Sequence, residues 1–149
     1  ALASEHGQLL HFNLSHTGAL GALAVSPTHA IGIDIEEERD VTEELAERYF
    51  APDEVATLNA LPKHEQRAAF FRCWSRKEAV VKALGDGLSL PLTSFVVDHS
   101  ARTAGPLVAA PGTDAGADWR ILPFEAAANV PGAVAIRTGG LDATLGRRG

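Results

Sequence analysis

The longest regular pattern in this chain runs from Lys63 to Leu84 and stops at Gly85-Asp86-Gly87. Its apolar residues recur at helical spacing, so any fold must be arranged around one long helix with a buried face. The stretch WSRKEAVVKALGDG (74–87) nevertheless sets a carboxylate and two lysines among Trp74, Ala79, Val80, Val81, Ala83 and Leu84. Glu78 and Lys82 are four apart and share one helix face, with Trp74 one turn before them. A Trp, Glu, Lys column beside a buried face is the feature the rest of the chain has to explain.

Shorter elements surround it. LLHFNL (9–14) has strand character, and Ser15-His16-Thr17-Gly18 reads as a turn. Residues 19–26 and 29–36 form two apolar runs joined by Pro27-Thr28, which predicts a hairpin between them. Thr42 is placed to cap a helix over 43–50, and Pro52-Asp53-Glu54 opens another to about residue 61. LTSFVVD (92–98) resumes as strand. Residues 100–118 read as a flexible loop with a short strand at Leu107 to Ala109, residues 119–124 and 132–138 as closing strands, and 141–149 as a tail. The expected class is α+β, a small antiparallel sheet packed against helices, in a single domain over 1–149.

At 149 residues the chain is long enough to bury a sizeable core, and its 46% hydrophobic and 21% charged content is ordinary for a globular protein. A net charge of −6 argues against nucleic acid as a partner. The single Cys73 excludes an internal disulfide, fits a reducing compartment, and lies in the apolar run AAFFRCW, which favours a buried core thiol over a nucleophile. No stretch reaches the length of a membrane span and the first residues do not read as a signal peptide, so the expected setting is soluble and cytoplasmic, without a membrane partner. The absence of an initial Met predicts a fragment or processed piece of a longer protein.

Three groups of residues carry candidate chemistry. In GIDIE (32–36), Asp34 and Glu36 flank one apolar residue, and in a strand they point to the same face. Paired carboxylates suit a hard divalent cation such as Mg²⁺, although the pair alone also fits a solvated strand end. Glu78 lies 44 residues beyond Asp34, in a helix that should hold it close to the protein body. It reads either as a third metal ligand or general base, or as the partner of Lys82 in a surface pair. Lys77 and Lys82 offer positive charge to phosphates, and Ser15 and His16 a hydroxyl and an imidazole to an anion, or to local hydrogen bonds of a turn.

Taken together, FNLSHTG, GIDIE and FFRCWSRKEAVVKALGDGL resemble the successive signatures of the 4′-phosphopantetheinyl transferases of the surfactin-synthetase-activating type. That pattern is a Gly-Ile/Val-Asp motif followed some forty residues on by W-x-x-K-E-x-x-x-K. Here Asp34 and Trp74 are 40 apart, and Trp74, Lys77, Glu78 and Lys82 occupy the pattern. PDEVATL (52–58) and GLSLPLTSFVV (87–97) are also similar to family sequence, so the resemblance covers about residues 10 to 98.

The resemblance implies transfer of phosphopantetheine from coenzyme A to a serine of an acyl or peptidyl carrier protein, with release of 3′,5′-ADP. It implies Mg²⁺ on Asp34, Glu36 and Glu78, with Glu78 also as base and Lys82 near the coenzyme A phosphates. It further implies that Ser15 and His16 contact coenzyme A, the imidazole facing the 3′-phosphate. Trp74 is expected to be largely buried and to support this face. Members of that type are longer and built as two similar halves, so this chain resembles the second half plus the turn before it. Its open face is then expected to pair with another copy or with an N-terminal half. The competing readings are a Mg²⁺-dependent phosphoester hydrolase, with water as nucleophile, and a catalytically incomplete module that binds carrier proteins.

Overall fold

Residues 30–35 carry apolar groups too continuously for a strand with one wet face, so a strand there has to be covered on both sides. The computed structural model, which describes residues 2–3, 9–85, 91–99 and 119–138, covers it in an α+β arrangement. Strands β1 (Leu2–Ala3), β2 (Leu9–Thr17), β3 (Leu20–Ser26) and β4 (Ala30–Ile35) come first. Helices α1 (Glu43–Tyr49), α2 (Pro52–Asn59) and α3 (Lys63–Leu84) follow, then a 3₁₀ turn (Leu92–Ser94) and strands β5 (Trp119–Ala127) and β6 (Val130–Arg137).

All pairings among the described strands are antiparallel, in two three-stranded sheets of order β1-β2-β3 and β4-β6-β5. Helix α3 lies across β4 and β6, with α2 against α3 and α1 against α2. The contact of α3 with β4 is unusually close because position 32 is glycine. A methyl group there would sit 2.0 Å from the Ala79 carbonyl oxygen and 2.6 Å from the Ala83 nitrogen. The main core gathers Phe50, Phe70, Phe71, Cys73, Phe95 and Trp119 between helices and sheet, which makes Cys73 a core thiol as expected. A second small core of Ala24, Ile31 and Ile33 covers the other face of β4.

Three expectations are corrected. Residues 19–26 do not pair with 29–36: β3 pairs with β2, Phe12 opposite Val25 and Leu14 opposite Leu23, while β4 pairs with β6. The tight turn at Gly18, whose φ of 53° favours glycine, closes the first hairpin and leaves β4 for the second sheet. Residues 15–17 are therefore strand rather than turn. Residues 92–98 form the 3₁₀ turn and an irregular segment instead of a strand. The physical reason is that side chains take its backbone groups. Lys77 donates to Phe95 O, Arg76 to Asp98 O and Arg72 Nε to His99 O, and Val97 N donates to Glu54 Oε2. The expected loop at 100–118 and tail at 141–149 lie outside the described residues.

Candidate active site

Period-two alternation puts Gly32, Asp34 and Glu36 on the face of β4 that meets α3. The i, i+4 column of α3 lies along that face in the opposite direction. Trp74 Nε1 donates to Glu36 Oε1 at 3.1 Å. At the other end Lys82 Nζ stands 3.4 Å from Asp34 Oδ1 and donates to Ile33 O at 3.0 Å and Leu14 O at 3.3 Å. Glu78, half-buried, lies between them in the column. The absence of a Cβ at residue 32 is what lets these side chains reach the strand.

Neighbouring carboxylates act on Asp34 and on Glu78. Asp34, only 5% exposed, is pushed up to about 8 by burial first, then by the neighbouring Glu36, against the lowering influence of Lys82. Burial and then the Glu36 charge also hold Glu78 above the ordinary carboxylate range, with Lys82 again opposing. Arg39 Nη1 approaches Glu36 Oε2 at 3.6 Å. Asp34 Oδ2 is buried without a hydrogen-bond partner, an orphaned acceptor that asks for a cation or a proton.

The opposite edge of β4 is held without a strand ladder. Ile33 N donates to Asn13 Oδ1 at 2.9 Å, Ile35 N to Ser15 Oγ at 3.1 Å, and Glu37 N to Thr17 Oγ1 at 3.2 Å. Alternate side chains of β2 thus stand in for backbone carbonyls along β4. Ser15, which is buried, also donates to Asp34 Oδ1 at 3.4 Å. His16, the next residue, points to the exposed side of β2, opposite Gly21.

Residues 30–135 match the 4′-phosphopantetheinyl transferase superfamily. The chain belongs to that superfamily. It is similar to the 4′-phosphopantetheinyl transferase of Bacillus subtilis, 44% identical over 88 residues that cover 59% of this chain and 39% of the relative. It is 46% identical over 88 residues to the 4′-phosphopantetheinyl transferase HetI of Nostoc sp., covering 58% of this chain and 36% of the relative. The match to the 4′-phosphopantetheinyl transferase AcpT of Salmonella typhimurium is 44% over 85 residues, 56% of this chain and 44% of the relative. The chain thus aligns with less than half the length of each of these relatives.

A phosphopantetheinyl transferase reading raises the question of a metal. Among the described residues no three of His, Cys, Asp and Glu are arranged as a ready cation cluster. Glu36 is engaged by Trp74 and Arg39 in the chain as it stands. The donor chemistry nevertheless fits a hard cation. The orphaned Asp34 oxygen and the charge that Glu36 sets against Asp34 and Glu78 are both relieved by positive charge.

Lys77 is a correction. Expected to face phosphate, it is fully buried, with Nζ paired to Glu54 Oε1 and donating to Phe95 O. Its position among Phe70, Cys73 and Val80 on the core stripe of α3 turns it away from the column of Trp74, Glu78 and Lys82. Trp74 packs against the main core with only part of its surface exposed, and it supports the site by holding Glu36. Asn13, Thr17, Arg39 and Glu54 were not singled out from sequence. The alternation of Asn13, Ser15 and Thr17 was visible there, but reading that stretch as a turn concealed it. No helix among the described residues is long and apolar enough to cross a membrane.

Proposed function

We propose that this chain carries the catalytic carboxylates of a transferase that moves 4′-phosphopantetheine from coenzyme A to a serine of an apo acyl or peptidyl carrier protein. The single observation behind this reading is the meeting of β4 and α3. Glu36 and Glu78 act there on the buried Asp34 beside Lys82, within the region matched to the superfamily.

Asp34, Glu36 and Glu78 would hold Mg²⁺. When bound, the ion would offset the charge of the coenzyme A pyrophosphate, which otherwise repels a nucleophile. Glu78 accepts the proton of the attacking serine. A carboxylate held beside the reacting phosphate is suitably placed to receive that proton, directly or through water. The serine oxygen forms a bond to the phosphorus that bears pantetheine, and the anhydride bond to 3′,5′-ADP breaks. Lys82, tethered between the sheets and 30% exposed, is placed to stabilise phosphate charge at the same end as Asp34. His16 offers an exposed imidazole to a phosphate, while Ser15 orients β4 and Asp34 from behind. The exposed apolar residues of the first hairpin, Phe12, Leu14, Leu23 and Val25, fit pairing with another copy or an N-terminal half.

The test is incubation with coenzyme A, Mg²⁺ and an apo carrier protein, followed by mass spectrometry. Transfer adds the phosphopantetheine mass to the carrier. A free phosphoester with unmodified carrier would instead mark a hydrolase, and carrier binding without chemistry an incomplete module.

A further inference from the structure

Lys77 and Glu54 pose a problem that the reaction does not answer. Both are buried almost completely, and they form an ion pair inside the main core. A buried pair of this kind is a weak source of stability, because removing both charges from water offsets most of their attraction. Here both carboxylate oxygens of Glu54 and the Lys77 ammonium have partners. Glu54 Oε1 takes the amide of Ala51 at 2.8 Å as well as Lys77, its Oε2 takes the amide of Val97 at 2.9 Å, and Lys77 also donates to Phe95 O. The Lys77 ammonium lies 4.3 Å from the centre of the Phe95 ring. One contact therefore joins the start of α2, the middle of α3 and the segment at 95–97.

Its place on α3 is what matters. Lys77 immediately precedes Glu78, and successive helical residues point about 100° apart. If Lys77 is fixed towards α2, Glu78 must face β4 together with Trp74 and Lys82. An apolar side chain at 77 would fill the same stripe beside Cys73 and Val80, but apolar contact is non-directional and tolerates rotation of the helix. Ammonium and carboxylate groups with fixed partners do not. We propose that Glu54 and Lys77 are positioning residues whose buried pair sets the rotation of α3, and so aims Glu78 and Trp74 at Glu36 and Asp34. This deepens the reading of Glu78 as a site residue and rests on it.

The test reads geometry before activity. In a ¹⁵N-edited spectrum of the full chain, the indole N–H of Trp74 reports its bond to Glu36, and comparison with Trp74→Phe identifies the signal. Two variants are compared with the parent: the isosteric Glu54→Gln, and the apolar double variant Glu54→Leu with Lys77→Met. Thermal melting follows folding, and Mn²⁺ titration by electron paramagnetic resonance follows cation affinity.

In the folded variants the Trp74 indole signal should move and exchange faster, and Mn²⁺ affinity should fall about tenfold, as for loss of groups that orient ligands. A folded double variant with an unchanged indole signal would overturn the proposal, whatever its cation affinity. Failure of both variants to fold would overturn it as well, by assigning the pair to stability alone. If the parent binds no Mn²⁺ or transfers no phosphopantetheine, the metal or reaction reading falls, while the indole comparison still decides this one.

Discussion

Gly32→Ala should separate the packing of α3 from the chemistry it presents. The added methyl would lie 2.0 Å from Ala79 O, and ordinary contact begins at 3.4 Å, so helix and strand must part by roughly 1.4 Å. The obstacle is helix backbone, which cannot swing aside as a side chain does. Overpacking of this kind costs about 1–3 kcal/mol, and the backbone clash places it near 3. For a chain of this size that lowers Tm by roughly 6–12 °C. The same displacement carries Lys82, which lies between Ala79 and Ala83, away from Ile33 O, now at 3.0 Å. A misplacement of that size in a positioned site costs on the order of a hundredfold in turnover.

Gly132→Ala is the control. Its methyl would meet side chains rather than helix backbone, the Phe124 ring at 2.6 Å and Ile35 Cγ2 at 2.9 Å. It should lower Tm while leaving most of the transfer activity. Calorimetry and a carrier-modification assay measure both quantities. A Gly32→Ala chain with parental Tm and full turnover would refute the claim that close approach at residue 32 builds the site.

Glu78→Gln should reduce turnover more than coenzyme A affinity, whereas Lys82→Ala should weaken coenzyme A binding as well and free the carbonyls of Leu14 and Ile33; identical kinetic profiles would contradict these roles. Asp34 rises from 3.8 to about 8 on folding, so between these values the folded chain holds a proton that the unfolded chain has released. That contribution to metal-free stability is present below about pH 4 and is lost as pH rises to about 8. The Tm gained by Asp34→Asn over the parent should therefore be larger at pH 8 than at pH 5, and an equal difference at both would remove the assignment. Lys77→Met alone leaves the Glu54 charge buried without its cation and should cost about 3–5 kcal/mol in denaturant unfolding. A loss below about 1 kcal/mol, the range of an exposed pair, would show that the pair is not buried in solution.

Several parts of this arrangement follow from local sequence. The helix from Lys63 to Leu84, its end at Gly85, the common face of Asp34 and Glu36, and the column of Trp74, Glu78 and Lys82 all depend on the periods 3.6 and 2. Those periods are properties of neighbouring residues, so the spacing alone places the groups correctly. The superfamily membership was legible for the same reason, in motifs at fixed separations. Tertiary structure alone decided which partner satisfies each backbone group. Residues 30–35 could have paired with β3, but they pair with β6, about a hundred residues on, while side chains from Asn13, Ser15 and Thr17 hold their other edge. Residues 92–98 have the composition of a strand, yet Glu54, Arg72, Arg76 and Lys77 take the backbone groups a ladder would need. Lys77 and Lys82 lie on different faces of one helix, but that Lys77 is held in the core by Glu54, 23 residues before it, is decided only when α2 and α3 pack. A hydrogen bond between distant residues has no local period, so its partner is settled only when the elements pack.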